Sequence, residues 1–176
     1  MYSERNIIIF DRAGKENTDA TVNAVLEYCR KNVIEDIFLA STTGYTINRF
    51  LEKMDKNDIQ QLYVFTQYLD EEHFMREDVR RKLSMETVIK GVFDIPPKYL
   101  NQMIGQKGVD SLRELSHGIK VCVELAYFAD KNNLLTEGMK FIAVAGRKEG
   151  ADTAIVFKIQ VSKVKMIDMV AFSKDE

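Results

Sequence analysis

Ser41, Thr42, Thr43 and Thr46 place four hydroxyls within six residues, wrapped around Gly44 and Tyr45. They follow the apolar run Ile37-Phe38-Leu39-Ala40, and a helical pattern begins at about Ile47. Hydroxyls, a glycine with a permissive backbone and the first free N–H groups of a helix therefore meet at one strand end. That chemistry suits an anion, most often a phosphate. The plainer reading is a capped helix start with a tight turn. Nothing in residues 41–46 performs chemistry by itself; the loop holds one end of a ligand.

Two further polar loops leave strand-like segments, at residues 11–18 and 146–153. They supply Asn17, Thr18, Gly146, Arg147, Asp152 and Thr153 as the rest of a candidate rim. Lys15 and Arg147 either add positive charge to a bound anion or lie solvated on the surface. Glu16, Glu124 and Asp152 are candidate acids or bases; Asp152 equally caps a turn, and Glu124 equally pairs with Lys120. There is no GxxxxGK[ST] and no GxGxxG, so neither a Walker-type nor a dinucleotide site is supported. The two histidines, His73 and His117, build no Ser-His-Asp or Cys-His arrangement. With no CxxC, a zinc site is not expected, and Cys29 and Cys122 read as reduced core residues of a cytoplasmic protein.

The elements that must position these loops follow from periodicity. Short apolar runs at 6–10, 37–40 and 62–65 read as strands, the first as one buried on both faces. Between the first two, Val22, Val25, Leu26 and Cys29 form one amphipathic helical stripe. Alternating strands and helices imply parallel pairing. Residues 74–83 read as a charged helix with Val79 and Leu83 on one side, and 87–93 as a fourth strand. Pro96 and Pro97 fit the first turn of a further helix, which Gly105 and Gly108 break before a short one at 109–115. The last third carries strands at 141–145, 153–159 and 166–172 with only short links, so antiparallel pairing is expected at that end.

Residues 117–131 form the longest clean helix. His117, Lys120, Glu124, Tyr127 and Lys131 recur every three or four residues as one polar stripe on an otherwise apolar surface. Either this stripe faces solvent, with Lys120 and Glu124 as an i,i+4 pair, or part of it lines a pocket.

Composition bounds the remaining possibilities. The chain has 176 residues, the size of one domain spanning 1–176, with 45% hydrophobic residues to build a core. Its formal net charge of -2 argues against a nucleic-acid-binding face. No apolar run approaches the ~20 residues that span a bilayer, and no signal-peptide pattern opens the chain.

Three blocks carry a more specific likeness. They are residues 10–18 (Phe-Asp-Arg-Ala-Gly-Lys-Glu-Asn-Thr), residues 40–46 (Ala-Ser-Thr-Thr-Gly-Tyr-Thr), and a third running from His117-Gly118-Ile119-Lys120 to Ala145-Gly146-Arg147-Lys148-Glu149-Gly150-Ala151-Asp152-Thr153-Ala154. With these the chain resembles the stand-alone relatives of the C-terminal domain of pyruvate kinase. The resemblance implies an α/β three-layer sandwich, with a mixed, mostly parallel sheet of roughly five strands and an antiparallel C-terminal edge. In pyruvate kinase the loop that residues 41–46 resemble holds a phosphate of the sugar bisphosphate effector. Stand-alone relatives lack the catalytic barrel, so kinase activity is not implied. Flavin mononucleotide (FMN) is the first candidate ligand from the resemblance. Its ring needs an apolar or aromatic wall, for which Tyr45 and Tyr127 are candidates that the match itself does not assign. Two other readings stand beside it. One is an enzyme acting on a phosphorylated metabolite through Glu124, Lys120 or His117. The other is a non-catalytic regulatory or assembly module forming a homo-oligomer.

Overall fold

A computed structural model describes residues 6–55, 57–67 and 69–174. Its strands are β1 (Ile8–Phe10), β2 (Asp36–Ala40), β3 (Gln61–Thr66), β4 (Ile89–Asp94), β5 (Lys140–Ala145), β6 (Thr153–Gln160) and β7 (Lys163–Ser173). Its α-helices are α1 (Thr18–Asn32), α2 (Tyr45–Lys53), α3 (Glu77–Leu83), α4 (Tyr99–Leu115) and α5 (His117–Lys131). The strands join in one seven-stranded sheet of order β1-β7-β6-β5-β2-β3-β4. That is larger than the roughly five strands the resemblance implies.

Only β6 runs against its neighbours, antiparallel to both β5 and β7. The other adjacent pairs are parallel: β1 with β7, β2 with β5 and β3, and β3 with β4. The antiparallel strand therefore lies inside the sheet rather than at its edge, because β1 adds itself outside β7. This also corrects the reading of β1 as a strand buried on both faces. It is an edge strand that leaves Ile8 and Ile9 exposed, because its register spans only Ala171 to Ser173 of β7. A continuous apolar run cannot distinguish an edge from a centre.

Central strands are apolar at every position because helices cover both faces. Ile37 and Leu39 of β2 join Val22, Val25, Leu26 and Cys29 of α1 and Ile47 and Phe50 of α2 in one core. Phe38 points to the opposite face, toward Phe65, Phe141 and Phe157 and the α5 residues Cys122, Leu125 and Ala129. The result is a three-layer α/β sandwich. Each cysteine lies in one core, and burial pushes the Cys29 thiol up to about 12 and the Cys122 thiol well above its ordinary value.

Two helix boundaries differ from expectation. The prolines precede helix α4 instead of opening it: Lys98 adopts a left-handed backbone (φ 58°) and the helix starts at Tyr99. Gly105 interrupts α4 with non-helical angles (φ 72°, ψ 166°), as expected, whereas the helix runs on through Gly108. Among the described residues no helix is long and apolar enough to cross a membrane.

Candidate functional site

Strands β5, β2 and β3 lie side by side and point the same way, so their C-terminal ends share one edge. Ligands of open α/β sheets are usually held at such an edge. As β2 ends, the amide of Ser41 still donates to the Phe65 carbonyl oxygen at 2.8 Å, which keeps the chain on the sheet. Gly44 then turns it with a left-handed backbone (φ 93°), and α2 begins. A side chain there would be strained and would strike Val79 Cγ1, 2.7 Å from an ideal β-carbon.

A helix start leaves its first amides without partners inside the helix. Here Ser41 Oγ accepts from the Ile47 amide at 3.2 Å and Thr43 Oγ1 from the Tyr45 amide at 3.4 Å. No described group takes the Thr46 amide.

Beside this helix start opens a cavity of about 530 Å³. Thr42, Thr43 and Thr46 form one part of its wall, and Gly146, Arg147 and Glu149 of the β5–β6 turn another. Helix α5 closes a third side with His117, Lys120, Val121 and Glu124. Phe65, Ile95 and Leu125 contribute apolar surface.

The polar stripe of α5 thus divides. Its first three members face the cavity, while Tyr127 is exposed and lines a separate cavity of about 420 Å³ with Lys163 and Val164. Lys120 and Glu124 are buried, with Lys120 Nζ donating to Glu124 Oε2 at 2.6 Å. The other carboxylate oxygen accepts from the Leu100 amide at 3.2 Å, which ties α5 to the start of α4. The pair is the expected i,i+4 ion pair, but it lines a pocket instead of facing solvent. Lys120 Nζ has three donors and, among the described residues, one partner. Arg113, Lys120, Arg147 and Lys148 face two carboxylates, Glu124 and Glu149, so the lining favours an anionic guest.

Of the expected site residues, Thr42, Thr43, Thr46, Gly146 and Arg147 line the cavity. Ser41 and Gly44 sit behind it as the scaffold of the turn. Tyr45 lies under Lys15, whose ammonium is 4.0 Å from the ring centroid, and supplies no cavity wall.

Asn17, Thr18, Asp152 and Thr153 do not form the rim; they brace the loops that do. Asn17 Nδ2 donates to the Arg12 carbonyl oxygen at 2.7 Å. Thr18 Oγ1 donates to the Lys15 carbonyl oxygen at 2.6 Å and accepts from the Ala151 amide at 3.0 Å. Asp152 accepts from the Gly14 amide at 3.1 Å and from Thr153 Oγ1 at 2.8 Å. These bonds carry the loop after β1 across two strands to the β5–β6 turn, a placement that spacing alone could not supply.

Sequence reasoning passed over Glu149, Arg113 and Ile95 as cavity residues. Glu149 was legible as the acid within a glycine-bounded turn. Arg113 and Ile95 carry no local signal, since long-range packing brings them in.

The chain resembles pyruvate kinase structures. Three from Cryptosporidium parvum, the second in complex with ADP, are 17%, 19% and 16% identical to it, with TM-scores of 0.41, 0.41 and 0.39. The matches cover 85%, 86% and 85% of this chain but only 22%, 24% and 22% of theirs. The chain therefore spans less than a quarter of those proteins. No family model matches it.

The junction that sets α5 against the sheet is tight. An ideal β-carbon on Gly118 would lie 2.0 Å from Thr153 Oγ1 and 2.5 Å from Thr153 Cβ. Gly118→Ala is therefore expected to push the start of α5 outward and cost about 1–3 kcal/mol. Urea denaturation measures this, and a variant as stable as the native chain would mean that the junction yields freely.

Proposed function

We propose that the chain binds a phosphorylated small molecule in the cavity at the ends of β5, β2 and β3. The phosphate is held at the start of α2 by the Thr43 and Thr46 hydroxyls and the Thr46 amide. The observation that carries this reading is the shared cavity: the helix start and the buried Lys120–Glu124 pair line the same space. A volume of about 530 Å³ lies within the usual range of small-molecule sites. The cytoplasm is the proposed compartment, in keeping with two buried free thiols.

FMN is the first ligand to try. Its ring would lie against Ile95, Val121 and Leu125, since neither Tyr45 nor Tyr127 lines the cavity. The test is the visible spectrum of the purified protein, followed by FMN titration with flavin fluorescence as readout. Binding at micromolar FMN that weakens roughly fivefold or more in Thr46→Ala, from loss of one charge-assisted bond, would support the assignment. No response at micromolar FMN removes that ligand.

The buried pair favours a second reading, an enzyme that acts on a phosphorylated metabolite. Lys120 and Glu124 form a proton donor and acceptor 2.6 Å apart in a polar cavity, with His117 on the same wall. Turnover abolished by Lys120→Met with ligand affinity retained would establish it; a chain that binds but never turns over its ligand would rule it out.

A further inference from the structure

Glu149 is the residue in this cavity whose contacts are hardest to reconcile with a purely structural role. It reaches from the β5–β6 turn to the phosphate loop, where its Oε1 accepts from Thr43 Oγ1 at 2.8 Å. Its Oε2 accepts from Lys15 Nζ at 2.5 Å. An acidic side chain thus takes a hydroxyl and an ammonium that flank the α2 start.

The arrangement is built by backbone packing. Gly150 has a left-handed backbone (φ 91°), and an ideal β-carbon there would lie 2.7 Å from Lys15 Cα. This close approach presses the β5–β6 turn against the loop that carries Lys15. The Ala151 amide, bonded to Thr18 Oγ1 at 3.0 Å, locks the same contact. Lys15 holds the Glu149 carboxyl below its ordinary value, with the Thr43 hydroxyl adding to the effect, so Glu149 is an anion at neutral pH. A second observation points to a guest in the same space. Lys120 is 8% exposed and lines the cavity with one described partner for three donors.

We propose that Glu149 is a built-in anion that holds the phosphate seat when no ligand is bound, and that a ligand phosphate displaces it and takes over Thr43 and Lys15. This rests on the phosphate-binding reading above and adds a selectivity to it. A guest must outcompete a carboxylate of charge −1. A phosphate monoester, close to −2 at neutral pH, does so better than a phosphodiester or a carboxylic acid. The displaced side chain has room to leave, because it already meets solvent at 31% exposure. Arg147 and Lys148 of the same turn remain at the cavity wall.

The experiment is a titration with inorganic phosphate near pH 7.5, followed through the amide NMR signals of Thr43, Tyr45 and Thr46. Native chain, Glu149→Gln and Lys15→Met are compared, with Glu149→Ala as a second variant should the glutamine disturb folding. Removing the charge should tighten phosphate binding roughly five- to tenfold, the scale of one unscreened unit charge a few ångströms away. Losing Lys15 should weaken it by a similar factor. Methyl phosphate should bind more tightly than dimethyl phosphate in the native chain, with the gap narrowed in Glu149→Gln. If phosphate moves these amides equally well in native and charge-free chains, the displacement idea is overturned while the phosphate site stands. If phosphate moves them in none of the chains, the phosphate reading itself falls, and the displacement idea with it.

Discussion

Replacing Glu124 with leucine is expected to lower the stability of the fold by about 3–5 kcal/mol, the usual cost of leaving one member of a buried ion pair without its partner. The Lys120 and Glu124 side chains are only 10% and 5% exposed, so bulk water cannot take over for the lost carboxylate. The substitution also strips the Leu100 amide of its acceptor, which loosens the start of α4. The double variant Lys120→Met, Glu124→Leu should recover most of the loss, because two apolar side chains of similar volume need no compensation. Urea denaturation of the two single variants and the double variant reads the coupling directly. A Glu124→Leu loss below about 1 kcal/mol would show that the cavity hydrates Lys120 as a surface group is hydrated. The same outcome would weaken the case for the pair as chemical machinery, because a freely solvated pair is not held in one geometry.

Phe38→Ala should be as damaging, at about 3–5 kcal/mol for an emptied aromatic core position. Phe38 is fully buried in the middle of β2, with ring centroids of Tyr63, Phe141 and Phe65 at 4.5, 4.6 and 5.5 Å. The cluster continues through Phe93 of β4, Phe128 of α5 and Tyr99 of α4. Removing the central ring leaves a void that its neighbours cannot fill together, since each is already engaged with another. Phe38→Leu should lose distinctly less. Thermal and urea unfolding of both variants check the order, and equal losses would point to backbone disturbance in β2 rather than a cavity. The proposed phosphate binding offers a second readout, because β2 leads directly into the Ser41 turn and any shift of its end moves Thr43 and Thr46.

Local patterns carried most of the elements. The stripe of Val22, Val25, Leu26 and Cys29 appears as the buried face of α1, and the runs at 37–40 and 62–65 appear as central strands. Periodicity reports burial, and these residues are buried. It failed at Ile8 and Ile9 for the same reason. An edge strand with apolar residues reads like a central one, and the neighbour of β1 is β7, from the far end of the chain. Pro96 and Pro97 suit a helix start in general, but Lys98 turns the chain first.

At the site, the amino-acid order determined which chemistry meets α2. The hydroxyls of 41–46 and the turn at Gly44 are local, so they are visible without a fold. Which side of α5 is covered was not visible, because a polar stripe looks the same toward solvent and toward a cavity. Packing of α5 between α4 and the sheet split it, burying Lys120 and Glu124 while leaving Tyr127 outside. The partners of the 41–46 loop were equally out of reach of spacing. Lys15 lies 134 positions from Glu149, and Thr43 lies 106 from it, yet the strand order brings all three together. Local sequence sets propensity and chemical type; contacts between distant segments, and the charges they place side by side, exist only once the sheet has assembled.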